Sequence, residues 1–249
     1  MSGRNALTLE IAAGSLGSAL AAQAAGADRV ELCEGLSSGG TTPSYGTLAL
    51  AREHMRIPLF VLVRPRAGDF LYDARDTEAM LRDIEMCVRL GCDGVVIGAL
   101  QADGGIDLPL CERLVAAAGS LQVTFHRAFD AARDQAQALE QVIALGCQRV
   151  LTSGGQATAM EGADRIAALV RQAAGRVTVM PGAGIDAGNV AALATLTGAR
   201  EFHASAKAAR VSSMAFHNPA LHGLAPDWSE TDPARVSALR ATLDAVNPR

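Results

Sequence analysis

Four short stretches align without gaps, and any fold proposed for this chain has to accommodate them. They are AGADRVEL (25–32), LGCDGVVI (90–97), LGCQRVLT (145–152) and TGAREFHA (197–204). Each carries a Gly able to end a helix in the left-handed conformation, then a small residue, then a strand. Around them strands and helices alternate from one end to the other. Strands are expected over 7–11, 29–32, 59–63, 94–97, 121–125, 149–152, 177–180 and 201–203. Helices are expected over 16–25, 45–54, 76–90, 108–118, 134–145, 160–174 and 186–196. A last helix is expected over 233–246, with Thr231 or Asp232 capping it before Pro233. The repeat therefore falls on strands 2, 4, 6 and 8, which suggests quarter-barrel units.

Eight βα units in a chain of 249 residues leave about 31 residues each, the usual length in a (β/α)8 barrel. The expected fold is of the α/β class, a single TIM barrel over 1–249 as one domain. A long loop follows strand 8 at about 204–230. A doubly wound open sheet is the rival, but it rarely needs eight units of such even length. Composition agrees: 49% of residues are hydrophobic and only 4% aromatic, so Ala, Val, Leu and Ile build the core. That suits buried parallel strands under Ala-rich helices.

The net charge of −4 and pI near 5.7 argue against nucleic acid as a partner, which would want a basic patch. No apolar run approaches the roughly 20 residues that span a bilayer, and no segment reads as a signal peptide. Five cysteines without a CxxC pair fit a reducing compartment, so the cytoplasm is the expected location.

The repeat also aligns strand positions. Glu31, Val96, Leu151 and His203 share one register, and Cys33, Gly98, Ser153 and Ser205 lie two residues further on. Side chains two apart on a strand face the same way. The face toward the helices must be apolar, so these rows belong inside the barrel near the C-terminal mouth, where barrels place their chemistry. Glu10 and His126 join them. QVTFHRAFD (122–130) puts Thr124 and His126 on that face and Arg127 in the loop beyond. PLFVLVRPRAGDF (58–70) brings Arg64 and Arg66 to the exit of strand 3.

Several stretches in the right order resemble the CutC family over essentially the full length. They are GADRVELC (26–33), GGTTPSYG (39–46), RPRAGDFLY (64–72), VTFHRAFD (123–130), RVLTSGG (149–155), VMPGAGI (179–185) and EFHASA (201–206). The resemblance implies a (β/α)8 barrel, a cytoplasmic location, and a copper homeostasis protein associated with Cu(I). Two places depart from the family pattern. Ala12 stands where relatives often carry Cys, and SMAFHN (213–218) lacks the basic residues that commonly accompany its aromatic.

The residues leave several chemistries open. Cu(I) favours thiolate and thioether ligands, and Cys33 is the one cysteine at the functional end of a strand. Cys92 and Cys147 belong to the opposite end, Cys87 and Cys111 to helices, and Met180 or Met214 could add a thioether. Glu10, Glu31, His126 and His203 could instead hold zinc or iron. An acid–base role suits the same groups better, with His126, Glu10 and Glu31 catalytic and a carboxylate orienting the His126 ring and raising its pKa. Arg64, Arg66 and Arg127, with Thr124, Ser153, Gly182, Gly184, His203 and Ser205, would bind a small anionic or phosphorylated substrate. A scaffold without catalysis would instead need an apolar plug in the mouth. The expected partners are a copper ion or a small anionic molecule, and a second copy of the chain in a homodimer.

Overall fold

In the computed structural model, which describes residues 6–220, 224 and 226–246, eight parallel strands form a barrel wrapped by helices. The order is β1 (Thr8–Ala13), α1 (Leu16–Ala24), β2 (Arg29–Leu32), α2 (Tyr45–His54), β3 (Leu59–Leu62), α3 (Ala74–Leu90) and β4 (Gly94–Ile97). It continues with α4 (Leu108–Ala118), β5 (Gln122–Phe125), α5 (Gln135–Ala144), β6 (Arg149–Thr152), α6 (Ala163–Ala173), β7 (Thr178–Pro181), α7 (Val190–Thr197) and β8 (Glu201–Ala204). Strand 1 pairs with both β2 and β8, and a bridge between Gly182 and His203 joins β7 to β8. The expected strands and helices are all present, with ends shifted by a few residues. The α7 helix starts late because Asp186 Oδ1 accepts the Gly188 and Asn189 N–H groups at 2.8 and 3.1 Å, making a turn first.

The repeat has a hydrogen-bond explanation. At the end of α3, Gly91 (φ 70°) lets its N–H reach Val88 O at 3.1 Å and the Cys92 N–H reach Cys87 O at 3.0 Å. This doubled cap satisfies carbonyls that a helix end otherwise leaves unpaired. Ala27 to Ala22 (3.1 Å) and Cys147 to Val142 (3.3 Å) repeat it. The small residue after each Gly therefore packs back on its own helix. Helix starts are capped in turn by Ser15, Ser44, Asp73, Asp107 and Asp134.

The alternation within each strand divides the molecule. Leu9, Ile11, Val30, Val61, Val95, Val123, Phe125, Val150, Val179 and Phe202 face the helices in one large apolar core. The other face turns inward, where Cys33, Phe60, Leu62 and Val96 form a small separate cluster. Gly94 makes room for Phe60: a Cβ there would come within 2.2 Å of the ring.

The stretch at 204–230 is not the irregular loop expected. It contains an antiparallel ribbon, β9 (Lys207–Arg210) paired with β10 (Trp228–Thr231). The ribbon leads into α8 (Pro233–Val246), whose first turn is capped by Asp232 accepting from Ala234 N at 2.9 Å. Between the two strands Val211, Met214 and Phe216 are exposed. No helix among the described residues is long and apolar enough to cross a membrane.

Candidate active site at the barrel mouth

The floor of the barrel is a chain of buried charge. Arg29 donates to Glu10 through Nε and to Glu201 Oε2 at 2.6 Å, and Arg149 donates to the same Glu201 oxygen at 2.8 Å. Phe60 lies between the two guanidinium groups, 5.1 and 5.3 Å from its ring centre, a favourable arrangement for an aromatic face. Glu10 is fully buried, and its second oxygen lies 2.7 Å from His203 Nδ1. Burial alone would raise the Glu10 pKa, but Arg29 and His203 outweigh it and hold the carboxyl at about 2. Burial also disfavours the His203 cation, yet the Glu31 and Glu10 carboxylates prevail and raise its pKa.

Above this floor opens a cavity of about 260 Å³ at the C-terminal ends of the strands. It is lined by Glu31, Arg64, Phe70, His126, Arg127, Gly184, His203, Ser205 and Lys207, with Ala12, Leu62 and Leu151 among its apolar walls. Glu31 is buried, and its Oε2 has no hydrogen-bond partner. Burial pushes the Glu31 pKa up and Glu10 adds to it, while His203 and Arg29 oppose; the carboxyl settles at about 7.

His126 differs from the expectation of a carboxylate-oriented ring. It caps the short 3-10 turn Arg127–Ala131, and its Nδ1 accepts the Ala128 N–H at 3.0 Å. Burial and the positive Arg64 lower its pKa to about 3, so the ring is neutral at physiological pH. Its Nε2 is buried without a partner. Phe70 and Phe125 stand 5.1 and 6.1 Å from the ring. Gly98 allows this placement, since a Cβ there would come within 2.6 Å of the imidazole.

Arg64 lines the cavity while tying two mouth loops together. It donates to Ser38 O, Gly40 O and Gly68 O at 3.0, 2.8 and 2.6 Å, sits 5.0 Å from the Phe70 ring, and leaves its Nε unpartnered. Arg127 reaches the rim, braced by Asp130 at 2.8 Å and Ser153 Oγ at 3.0 Å. Lys207, at the start of β9, is an exposed cation on the same wall.

Other expected residues lie elsewhere. Arg66 pairs with Asp69 and Asp76 outside the cavity wall. Ser153 is spent on Asp130, Gln156 and Arg127. Thr124 is fully buried with an unpartnered hydroxyl but does not reach the cavity. The Gly182 N–H is taken by Thr152 O at 2.9 Å, so it is no anion donor. That glycine instead permits close approach: a Cβ would come within 2.5 Å of Leu151. Glu10 lies behind His203 rather than on the wall. Arg29, Arg149 and Glu201 were not anticipated, although each sits two residues before an aligned position of the repeat.

A larger surface cleft of about 470 Å³ lies between α2 and α3, lined by residues such as Tyr45, Glu78, Arg82 and Met86. None of the unpartnered buried atoms at the mouth belongs to it, and the chemistry gathers in the smaller cavity.

The donor set does not suit Cu(I). All five cysteines are buried, and none lines the mouth. Cys33 points its Sγ at Ala13 O, 3.6 Å away, and burial together with Glu31 and Glu34 pushes its thiol pKa up. Met180 Sδ lies 3.4 Å from Arg29 Nη2, and Met214 is exposed on the ribbon connection. One donor atom each from Glu10, Glu31 and His203 lies within 4.8 Å of the others. These are hard or borderline donors, and Glu10 is already neutralised by Arg29. The cluster is a proton-holding network next to a cavity.

The family model described as "CutC family" matches residues 7–208. A CutC family protein of Xanthomonas campestris pv. campestris (strain B100) is 58% identical over 238 residues, covering 96% of this chain and 99% of that one. One from Chromobacterium violaceum is 52% identical over 242 residues, covering 95% and 98%. The crystal structure of the putative copper homeostasis protein CutC from Streptococcus agalactiae superposes with a TM-score of 0.77 at 34% identity, covering 80% of this chain and 98% of that chain. Matched along nearly its whole length in sequence and in barrel architecture, the chain belongs to the CutC family.

Proposed function

We propose that the barrel mouth is an active site performing general acid–base chemistry on a small anionic molecule. One observation carries this reading: Glu31 Oε2, His126 Nε2 and Arg64 Nε are buried and unpartnered, and all three residues line one cavity. A buried polar atom without a partner costs about 1–3 kcal/mol, so three around one space mark groups kept ready for a ligand. The cationic side chains of Arg64, Arg127 and Lys207 favour an anion. Glu31, titrating at about 7, suits proton transfer near neutral pH.

Thermal-shift screening tests the reading with inorganic phosphate, sulfate, sugar phosphates and small carboxylates. Ligand that binds only the folded state raises Tm by mass action. At least one of these anions should do so, and Arg127→Ala or Lys207→Ala should weaken the shift. Arg127→Lys should recover only part, since an ammonium lacks the planar fork. No shift with any anion would remove the reading.

Copper homeostasis is the second reading, supported by kinship with the Streptococcus agalactiae protein of that title and by one feature away from the mouth. The thiols of Cys87 and Cys92 are close enough to share a hydrogen bond, and a thiol pair is the soft donor set that Cu(I) prefers.

A further inference from the structure

We propose that the reaction at this mouth is proton removal beside a carbonyl, with Glu31 as the base and neutral His126 as hydrogen-bond donor to the carbonyl oxygen of a small anionic aldehyde or ketone. This rests on the acid–base reading above and narrows it to one substrate class.

The tautomer of His126 carries the argument. A ring nitrogen that accepts a backbone N–H bears no proton, so Nδ1, at 3.0 Å from Ala128 N, is the bare nitrogen. The one proton of the neutral ring is therefore on Nε2. Nε2 is the buried atom without a partner, on a residue of the cavity wall. The ring thus offers the cavity a donor and no basic lone pair. What it donates to must be an acceptor, and a carbonyl oxygen gaining negative charge is the acceptor this geometry serves best. Imidazole held neutral at a helix N-terminus is a known device for polarising a carbonyl.

The surroundings of the ring agree. Its neighbours are the Phe70 and Phe125 rings, with Arg64 as the charged group acting on it. The Arg64 guanidinium that keeps the ring neutral also stabilises an oxyanion held against it. The base comes from the other side of the barrel. Glu31 is on β2 and His126 follows β5, with β3 and β4 between them in sheet order. Glu31 is faced by Glu10 and Arg29 on the floor, by His203 from β8, and by the Cys33 thiol on its own strand.

The step balances with these groups alone. The C–H bond next to the carbonyl breaks, and its proton moves to Glu31 Oε2. The electron pair forms a C=C bond as the C=O π pair moves onto oxygen, which Nε2–H and Arg64 hold. Return of the proton to the same carbon or its neighbour regenerates a carbonyl. No oxidant, reductant or co-reactant enters.

Two measurements test the inference. In protein with 15N-labelled histidine, His126 should remain the neutral Nε2–H tautomer from about pH 5 to about pH 8, the range in which an ordinary histidine titrates. An Nδ1–H tautomer, or an imidazolium appearing in that range, would overturn it. The second measurement follows deuterium incorporation from D2O by NMR, using dihydroxyacetone phosphate, ribulose 5-phosphate, pyruvate and 2-oxoglutarate as probes. A probe that raises Tm should exchange the hydrogens beside its carbonyl. Glu31→Gln should slow that exchange by about 1000-fold and His126→Ala by about 100-fold, both retaining the probe's thermal shift. His126→Gln, which keeps an N–H donor, should recover part of the rate. Thermal shift without exchange for every probe overturns the carbonyl assignment and leaves the acid–base site standing. No thermal shift from any probe or from inorganic phosphate removes both.

Discussion

Glu10 Oε1 lies 2.7 Å from His203 Nδ1 across the β1–β8 pairing. The same carboxylate also takes Arg29, so one fully buried group neutralises a cation on each neighbouring strand. Removing it leaves the Arg29 and His203 cations short of compensation inside the barrel. Glu10→Ala should cost about 3–5 kcal/mol, the usual consequence of breaking a buried ion pair from one side. Urea denaturation at neutral pH measures it. A loss below about 1 kcal/mol would mean that the network is worth no more than a surface pair.

The pH dependence of stability should show two flanks with a plateau between. Glu10 has a folded value of about 2 against 4.5, so its contribution is present above 4.5 and lost as pH falls toward 2. His126, with a folded value of about 3 against 6.5, binds its proton more readily when unfolded, and stability falls as pH drops from 6.5 to 3. Glu31, at about 7 against 4.5, acts oppositely, and stability falls as pH rises from 4.5 to 7. His203, with a raised pKa, adds to that loss as pH climbs through its folded value. The His126 and Glu31 slopes oppose each other between about pH 4.5 and 6.5. Glu31→Gln should flatten the alkaline flank, raising stability at about pH 8 by roughly 2–3 kcal/mol. Denaturation midpoints across pH test this, and an unchanged alkaline flank would contradict it.

Gly98→Ala should disturb His126 without touching it chemically. The new methyl would occupy space within 2.6 Å of the ring, forcing the imidazole away from the Ala128 N–H. Loss of that bond frees Nδ1, so the variant's 15N spectrum should show a mixture of tautomers. Overpacking of this kind costs about 1–3 kcal/mol. A spectrum identical to that of the parent would show that the ring is held by something other than this fit.

The thiols should be silent in the native state. All five cysteines are buried, so a chromogenic disulfide reagent should react slowly with native protein and with five equivalents after denaturation. In anaerobic competition with a Cu(I) chelator, Cys33→Ser should leave any Cu(I) uptake unchanged. Substitution of Cys87 and Cys92 together should remove it. Loss of uptake in the Cys33 variant alone would relocate copper to the mouth.

The fold was legible because the helix caps and strands recur together: a Gly that must be left-handed, then a small residue that must fit under the helix. The same alignment placed Glu31 and His203 at the mouth. Read two residues earlier, it also gives Arg29, Arg149 and Glu201, but strand-opening charges look like solvated loop residues until their partners are known. Those partners lie 19, 172 and 52 residues away, beyond the reach of local pattern. Arg66 was misplaced because Asp69 and Asp76 hold it outside the cavity. His126 was placed correctly and given the wrong electrostatics, since its capping bond to Ala128 depends on a turn that no spacing announces. The ribbon at 207–231 escaped notice because KAAR and WSET carry no apolar alternation, and β10 is secured by a bond from Thr231 N to Ser18 Oγ at 3.1 Å.

The closure of the barrel has a consequence for the order in which the chain acquires its structure. Arg240 donates to Leu7 O at 3.0 Å across 233 positions and to Asp28 at 2.7 Å. Glu201 and His203, which complete the charge balance of Arg29 and Glu10, come from the last barrel strand. On a chain emerging from the ribosome N-terminus first, the early strands therefore carry buried-type charges whose partners have not yet been made. Those charges keep the half-built interior hydrated and the first strand's edge exposed. Contacts so distant in sequence form slowly, and the exposed edge is the segment most in need of chaperone protection. The mouth is thus assembled by the final strand, and a nascent chain that stalls before residue 201 has the helices of a barrel and no site.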